Sequence, residues 1–484
     1  MIERRGFLVL AAGVAAACSS RPADPAVSTR APANTVNFAF QPVATELDLG
    51  GVTVNTWAYG DRLPGQEIRI RKGQTVRATV TNGLPDVGTT IHWHGLAIPN
   101  GMDGVPVLTQ PAIEPGQSFI YEFVPPDAGT YYYHSHVGLQ FDRGLYGPLI
   151  IEDPTEGTDY DDELVVVLDD WIDGVGTNVD EVFANLVKTG MPSMGDMGSN
   201  AGVTRSRPLG DDGGDVKDPY FLINGRVTTD PQVMDYRAGQ RIRLRIINAG
   251  SDSAFRVGVP NHTMTVTHTD GFPVVPSQTE SVILGQGERV DAMITLTSSV
   301  PLVAAAYRKD GYAQINMRVN GAASSVKVDE YVAALRNQVP LDTATLAAAP
   351  EVDLPPADPD QVIDMRLGGP GKGYVWTING KSYDPPNDGY AVKPNQRVRI
   401  RYINKTDMFH PMHLHGVTFQ VMRCGGEQGN AGRLSPAARK DTVLVAPLET
   451  VDIDFDTHNP GRWITHCHNT YHLDSGMATF IYYD

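Results

Sequence analysis

Apolar and polar residues alternate one for one in three widely separated stretches of the chain. Val76-Arg77-Ala78-Thr79-Val80, Ile242-Arg243-Leu244-Arg245-Ile246 and Val398-Arg399-Ile400-Arg401-Tyr402 each repeat with a period of two. That is the spacing of a strand with one face in a core. A turn and a Gln precede each stretch and an Asn closes it: Gln74 to Asn82, Gln240 to Asn248, Gln396 to Asn404, eight residues every time. The copies stand 166 and 156 residues apart, a domain's length.

A second repeat lies downstream of the first. Gly129-Thr130-Tyr131-Tyr132-Tyr133-His134-Ser135-His136 echoes Gly461-Arg462-Trp463-Ile464-Thr465-His466-Cys467-His468, whereas the middle copy reads Pro301-Leu302-Val303-Ala304-Ala305-Ala306-Tyr307, with no histidine. Alternation broken by frequent turn residues (49 Gly, 35 Pro) predicts an all-β chain of three consecutive antiparallel β-sandwich domains. The repeats place the first domain at 35–153, the second at 154–325, a linker with helical character and a Pro-rich end at 326–359, and the third at 360–484. Residues 174–218 read as an irregular Gly/Asp/Met-rich excursion with a short helix near Val179–Lys188.

Residues 1–34 read as a leader and tether. Arg4-Arg5-Gly6-Phe7-Leu8 is a twin-arginine pattern followed by a short apolar run, and Ala15-Ala16-Ala17-Cys18 resembles a lipoprotein cleavage box. The expectation is an exported, extracytoplasmic or periplasmic protein, with membrane attachment by a lipid on Cys18 or plain cleavage near the same alanines. No apolar run is long enough to span a membrane as a helix. A net charge of −17 argues against nucleic-acid binding and keeps the protein soluble, and we expect a monomer. With Cys18 set aside, only Cys424 and Cys467 remain, too few for a disulfide scaffold.

Ten of the 13 histidines fall in four clusters: His92-Trp93-His94, His134-Ser135-His136, His410-Pro411-Met412-His413-Leu414-His415, and His466-Cys467-His468 with His472. On a strand, residues i and i+2 share a face, so each His-x-His presents two imidazoles side by side. Four such pairs exceed what one zinc ion takes and point to several ions. His410, Cys467 and His472, with Met477 as a weak fourth donor, make the His2Cys-plus-Met set that copper favours. Cys467 would bind one ion while His466 and His468, facing the other way, bind others. The backbone between them is then a short wire from an electron-accepting site to a metal cluster.

These motifs, in this order, resemble the multicopper oxidase family of laccases, ascorbate oxidase, ferroxidases and bacterial cuprous oxidases, with the actinobacterial lipoprotein members nearest in flavour. The resemblance covers 35–484 and implies three consecutive cupredoxin-like domains. It also implies four copper ions and an enzyme that passes single electrons from a small reductant, a phenol or a metal ion, to O2. Carried over, it gives His410, Cys467, His472 and Met477 to a type 1 copper and His92 and His413 to a type 2 copper. It gives His94, His134, His136, His415, His466 and His468 to a type 3 pair. It sets Asp103 beside the cluster as a proton source. Asp474 is a second candidate, although many bacterial relatives carry the acid where this chain has Leu473. His262, His268 and His458 are left to ordinary structural or surface roles.

The reductant stays open. Met191, Met194 and Met197 form a thioether run suited to Cu(I), or a plain loop. Asp407-Met408, just before His410, resembles an acid-plus-Met substrate site and is consistent with a part in copper resistance. Phenol oxidation fits equally. The alternative is a non-catalytic copper-binding envelope protein on the same fold. A hydrolase finds no support in the sequence, which has no Gly-x-Ser-x-Gly elbow.

Overall fold

The computed structural model describes residues 34–157, 159–190, 209–385, 387, 389–425, 433–434 and 437–484. The leader with Cys18 and the run Met191, Met194 and Met197 lie outside the described residues. Strands dominate, and they assemble into three β-sandwich domains.

Each alternating stretch is a strand: Thr75–Thr81, Arg241–Asn248 and Arg397–Asn404. Each pairs in parallel with the opening strand of its domain, Thr35–Phe40, Asp162–Trp171 or Gln361–Gly371. On its other side each pairs antiparallel with Ser118–Phe123, Arg289–Thr295 or Thr450–Asp456. The sheets are therefore mixed rather than purely antiparallel. A parallel neighbour needs a long crossover, and the first domain supplies it with the hairpin of Pro42–Asp48 and Thr53–Tyr59.

Apolar side chains of the alternating strands fill three separate cores. Val76, Trp93 and Tyr133 belong to the first, Leu244, Val257 and Leu302 to the second, and Ile400, Trp463 and Ile453 to the third. The closing asparagines act alike. Asn82, Asn248 and Asn404 are buried and donate side-chain hydrogen bonds to carbonyls of the next loops, pinning the strand ends. The middle strand differs in one respect: Arg243 and Arg245 on its second face are also buried, because that face lies against the first domain.

Helix Val179–Thr189 sits in the excursion, capped by Asn178, whose side chain accepts from the Glu181 amide. Helix Val328–Asn337 sits in the linker. A short helix, Thr470–Asp474, follows the last histidine pair and is capped by Asn469, which accepts from the Tyr471 and His472 amides. That cap fixes where His472 returns towards Cys467.

Candidate metal centre

Two pairs of strands carry the imidazoles. In the first domain His92–His94 pairs with Gly129–His134, so that His92 faces His134 across the ladder. In the third, His410–Leu414 pairs with Arg462–Cys467, and His413 faces His466. The two sheets meet with their rings interleaved: His92 stacks on His415 at 3.7 Å and His94 on His413 at 3.8 Å. Of these eight histidines, seven are buried and His136 is half-buried.

The ring nitrogens divide into two sets. One nitrogen of most rings is held from outside the cluster. His92 Nδ1 donates to the Asp103 carbonyl at 2.8 Å, His134 Nδ1 to that of Ser135 at 2.8 Å, His466 Nδ1 to that of Cys467 at 2.9 Å and His413 Nδ1 to that of Asp441 at 2.8 Å. His415 Nδ1 lies 3.1 Å from the Asp103 carboxylate, His94 Nε2 3.1 Å from that of Asp441, and His468 Nε2 3.0 Å from Tyr132 Oη. The opposite nitrogens of His92, His94, His134, His136, His413 and His468 are buried with no hydrogen-bond partner. His415 Nε2 and His466 Nε2 only face each other, at 3.1 Å.

Orphaned buried nitrogens are costly, and so many converging ones are what a metal cluster would satisfy. Triplets His92-His94-His134, His92-His413-His415 and His136-His415-His466 each bring their donor atoms within 4.8 Å of one another. Burial, followed by the neighbouring imidazoles, holds His94, His134, His136, His415, His466 and His468 well below the ordinary histidine range. They are neutral, with lone pairs free to ligate.

A second centre lies on the other face of the same strand. Cys467 Sγ is 3.6 Å from His410 Nδ1 and 3.5 Å from His472 Nδ1, and the two nitrogens are 3.2 Å apart. The centre of such a triangle lies roughly 2 Å from each corner, a metal–imidazole bond length. Met477 is fully buried in the same core, and the Trp376 ring packs 3.9 Å from that of His472. His410 Nε2 is held by Thr406 Oγ1 at 2.8 Å, and His472 Nε2 by the Asp215 carboxylate at 2.8 Å. Tyr374 Oη donates to the same Asp215 oxygen.

The other sequence candidates separate. Asp103 is buried, with its carboxylate against His415 and 3.3 Å from His92. Asp474 is exposed, at the rim of a cavity of about 270 Å³ whose lining includes His134, His136, His466 and His468. Asp407 is exposed, while Met408 is buried in the core that holds Cys467. His262 is buried, its Nδ1 donating to the Pro260 carbonyl at 2.8 Å, and His458 is exposed. Sequence reasoning missed Asp441, Asp215 and Thr406, none of which sits in a spaced motif, and Tyr132, which lies in the repeat before His134. The polar Lys440-Asp441-Thr442 set against apolar Val443-Leu444-Val445 was the one available signal.

Family models described as multicopper oxidase match residues 43–156, 162–327 and 355–484. The chain is 41% identical to the multicopper oxidase MmcO of Mycobacterium tuberculosis, across 99% of this chain and 96% of that one. The chain belongs to the multicopper oxidase family. It is also 25% identical to a copper resistance protein A homolog of Pseudomonas syringae pv. tomato, over 90% of both chains. The crystal structure of a laccase from Botrytis aclada superposes with a TM-score of 0.77 at 25% identity, covering 92% of this chain and 87% of that one. The oxidase is thus an oxidoreductase built of three cupredoxin-like domains, with copper as its cofactor and O2 and a reductant as reactants.

Proposed function

We propose that this oxidase withdraws single electrons from Cu(I), Fe(II) or a phenol at a type 1 copper and uses four of them to reduce O2 to water at a trinuclear cluster. His410, Cys467, His472 and Met477 would hold the type 1 ion, and His92 and His413 the type 2 ion. His94, His134, His136, His415, His466 and His468 would hold the type 3 pair. Bound copper supplies the one-electron steps and the store that a four-electron reduction requires. The observation that carries the reading is a single strand end, His466-Cys467-His468: its thiol completes one compact donor set, and its flanking imidazoles enter the other.

The chain's own groups supply the rest. Asp215 orients His472 at the Cys467 centre. The bonds from Cys467 to its two neighbours connect the centres without a solvent gap. Asp103, touching His415 and His92, is placed to hold a proton for oxygen chemistry, and Asp474 to accept one from solvent at the cavity rim. The other cluster imidazoles are buried, so this cavity is the approach from solvent to the cluster.

A metal reductant is favoured by the thioether run Met191, Met194 and Met197, by Asp407-Met408, and by the likeness to a copper resistance protein. A part in copper resistance accords with that reading, and the twin-arginine pattern and Ala15-Ala16-Ala17-Cys18 add export to the cell envelope, with a lipid on Cys18 or plain cleavage near the same alanines. The test is oxygen uptake by copper-loaded protein with Cu(I), Fe(II) and a substituted phenol. Changing the three methionines to Leu is expected to slow metal oxidation about tenfold and to spare the phenol. Equal loss on both reductants, or no loss on either, would remove the metal-site assignment.

A further inference from the structure

The middle domain supplies none of the clustered histidines, yet one of its side chains lies directly behind two of them. We propose that Arg289 is a positioning residue for the cluster ligands His94 and His413, acting through Asp441. This inference rests on the proposed trinuclear site and deepens it.

Arg289 opens the strand Arg289–Thr295 and is fully buried. Its Nη1 and Nη2 donate to the two Asp441 carboxylate oxygens at 2.7 and 2.6 Å. Its Nε donates to the carbonyl of Thr130, on the strand that ends in His134, at 3.1 Å. One guanidinium thus ties the middle domain to both ligand-bearing domains. Asp441 hands the restraint on: its Oδ1 lies 3.1 Å from His94 Nε2, and its carbonyl accepts from His413 Nδ1 at 2.8 Å. These are the outward nitrogens of the two stacked rings, whose inward nitrogens are among the orphans.

The space around the fork leaves no slack. A Cβ on Gly95 would lie 2.5 Å from Asp441 Oδ2 and 2.6 Å from Arg289 Nη2. A Cβ on Gly287, two residues before the arginine, would lie 3.1 Å from both the His468 and His94 rings. The backbone that carries Asp441 is fastened from the same domain. Asp270 accepts from the Asp441 and Thr442 amides at 3.3 and 3.2 Å, and Lys440 Nζ lies 3.1 Å from both Asp270 and Glu288. A planar two-pronged donor fixes the carboxylate plane, which a single ammonium does not. Without the arginine, Asp441 is left as a buried, half-compensated charge. It would turn from His94, and the ring it orients would lose its aim.

The test uses the full-length copper-loaded protein and reads copper per chain, the type 2 EPR signal and the blue type 1 band. Arg289→Met is expected to keep the blue band while its type 2 copper is lost to a chelator about 10–100-fold more readily. Asp441→Asn should behave similarly, and Arg289→Lys should recover part of the loss. Arg243→Met removes a buried arginine of the middle domain, paired with Asp291, that touches no histidine of the cluster, and should leave all three signals intact. An Arg289→Met protein with four coppers and an unaltered type 2 signal would overturn the inference. So would an identical selective loss in Arg243→Met, or loss of the blue band in both Arg289 variants, which marks a purely structural role. A wild-type chain that takes up fewer than four coppers sinks the proposed function and this inference together. Four coppers in the wild type beside an unaffected Arg289→Met sinks this inference alone.

Discussion

Cys467 is the one side chain whose neighbours on both sides enter a different donor set from its own, so its chemistry separates cleanly from theirs. Cys467→Ser is expected to abolish the blue colour and bring reductant-driven oxygen uptake to background, while the copper bound by the eight clustered histidines persists. Copper analysis and the type 2 EPR signal check it. Asp103→Asn should slow oxygen consumption about 100-fold and leave bleaching of the blue band by reductant unchanged in stopped flow, because its carboxylate touches His415 and not the Cys467 centre. The copper-binding candidates were legible from sequence because paired histidines two apart have few uses other than metal. Asp215 and Asp441 were not, since a lone carboxylate carries no spacing and acquires its meaning only from what the fold sets opposite it.

Among the elements, the turn after Asp103 leaves no room for a side chain. Gly104 adopts φ +83°, and a Cβ there would stand 1.9 Å from the Ile91 carbonyl oxygen, beside the His92 strand. Gly104→Ala should destabilise the protein by about 3 kcal/mol or more and lower its copper content, read by thermal unfolding and metal analysis. The strands themselves were readable from their period of two, and the short helix in the excursion from its local pattern. Their partners were not. Alternation says which face is apolar but not which strand lies alongside, so the parallel pairing of Thr35–Phe40 with Thr75–Thr81 and its two counterparts was missed. The same limit hid the buried face of Arg241–Asn248. Arg243 and Arg245 look like a solvated edge until the first domain covers them.

Across the whole molecule, that covered face makes stability depend on acid. Asp291 lies between Arg243 and Arg245 and accepts from Thr130 of the first domain. Burial raises its carboxyl, but the two guanidinium groups outweigh it and bring it down to about 2. A folded value below the unfolded one stabilises at pH above the ordinary carboxyl range and is lost as pH falls through the folded value. About 2–3 kcal/mol should therefore disappear between roughly pH 4 and pH 2, seen as a falling urea midpoint. Asp291→Asn should flatten that slope, while itself costing about 3 kcal/mol, because Arg243 and Arg245 then keep only Glu156 and Glu163 as partners. The threefold repeat made three domains readable in the sequence. How they lock together was not, because contacts between domains follow no period.

The interleaved stacks, His92 on His415 and His94 on His413, each join a residue made early in translation to one made late. A ribosome producing this chain displays the first two histidine pairs long before their counterparts leave the exit tunnel, and His466 and His468 come later still. A copper ion that met the nascent chain would find half a nest, with nothing to close over it. On the proposed ligand assignment, loading therefore belongs to the released, fully folded polypeptide, and a cell that stalls synthesis short of residue 466 makes a product that lacks two of the eight clustered histidines.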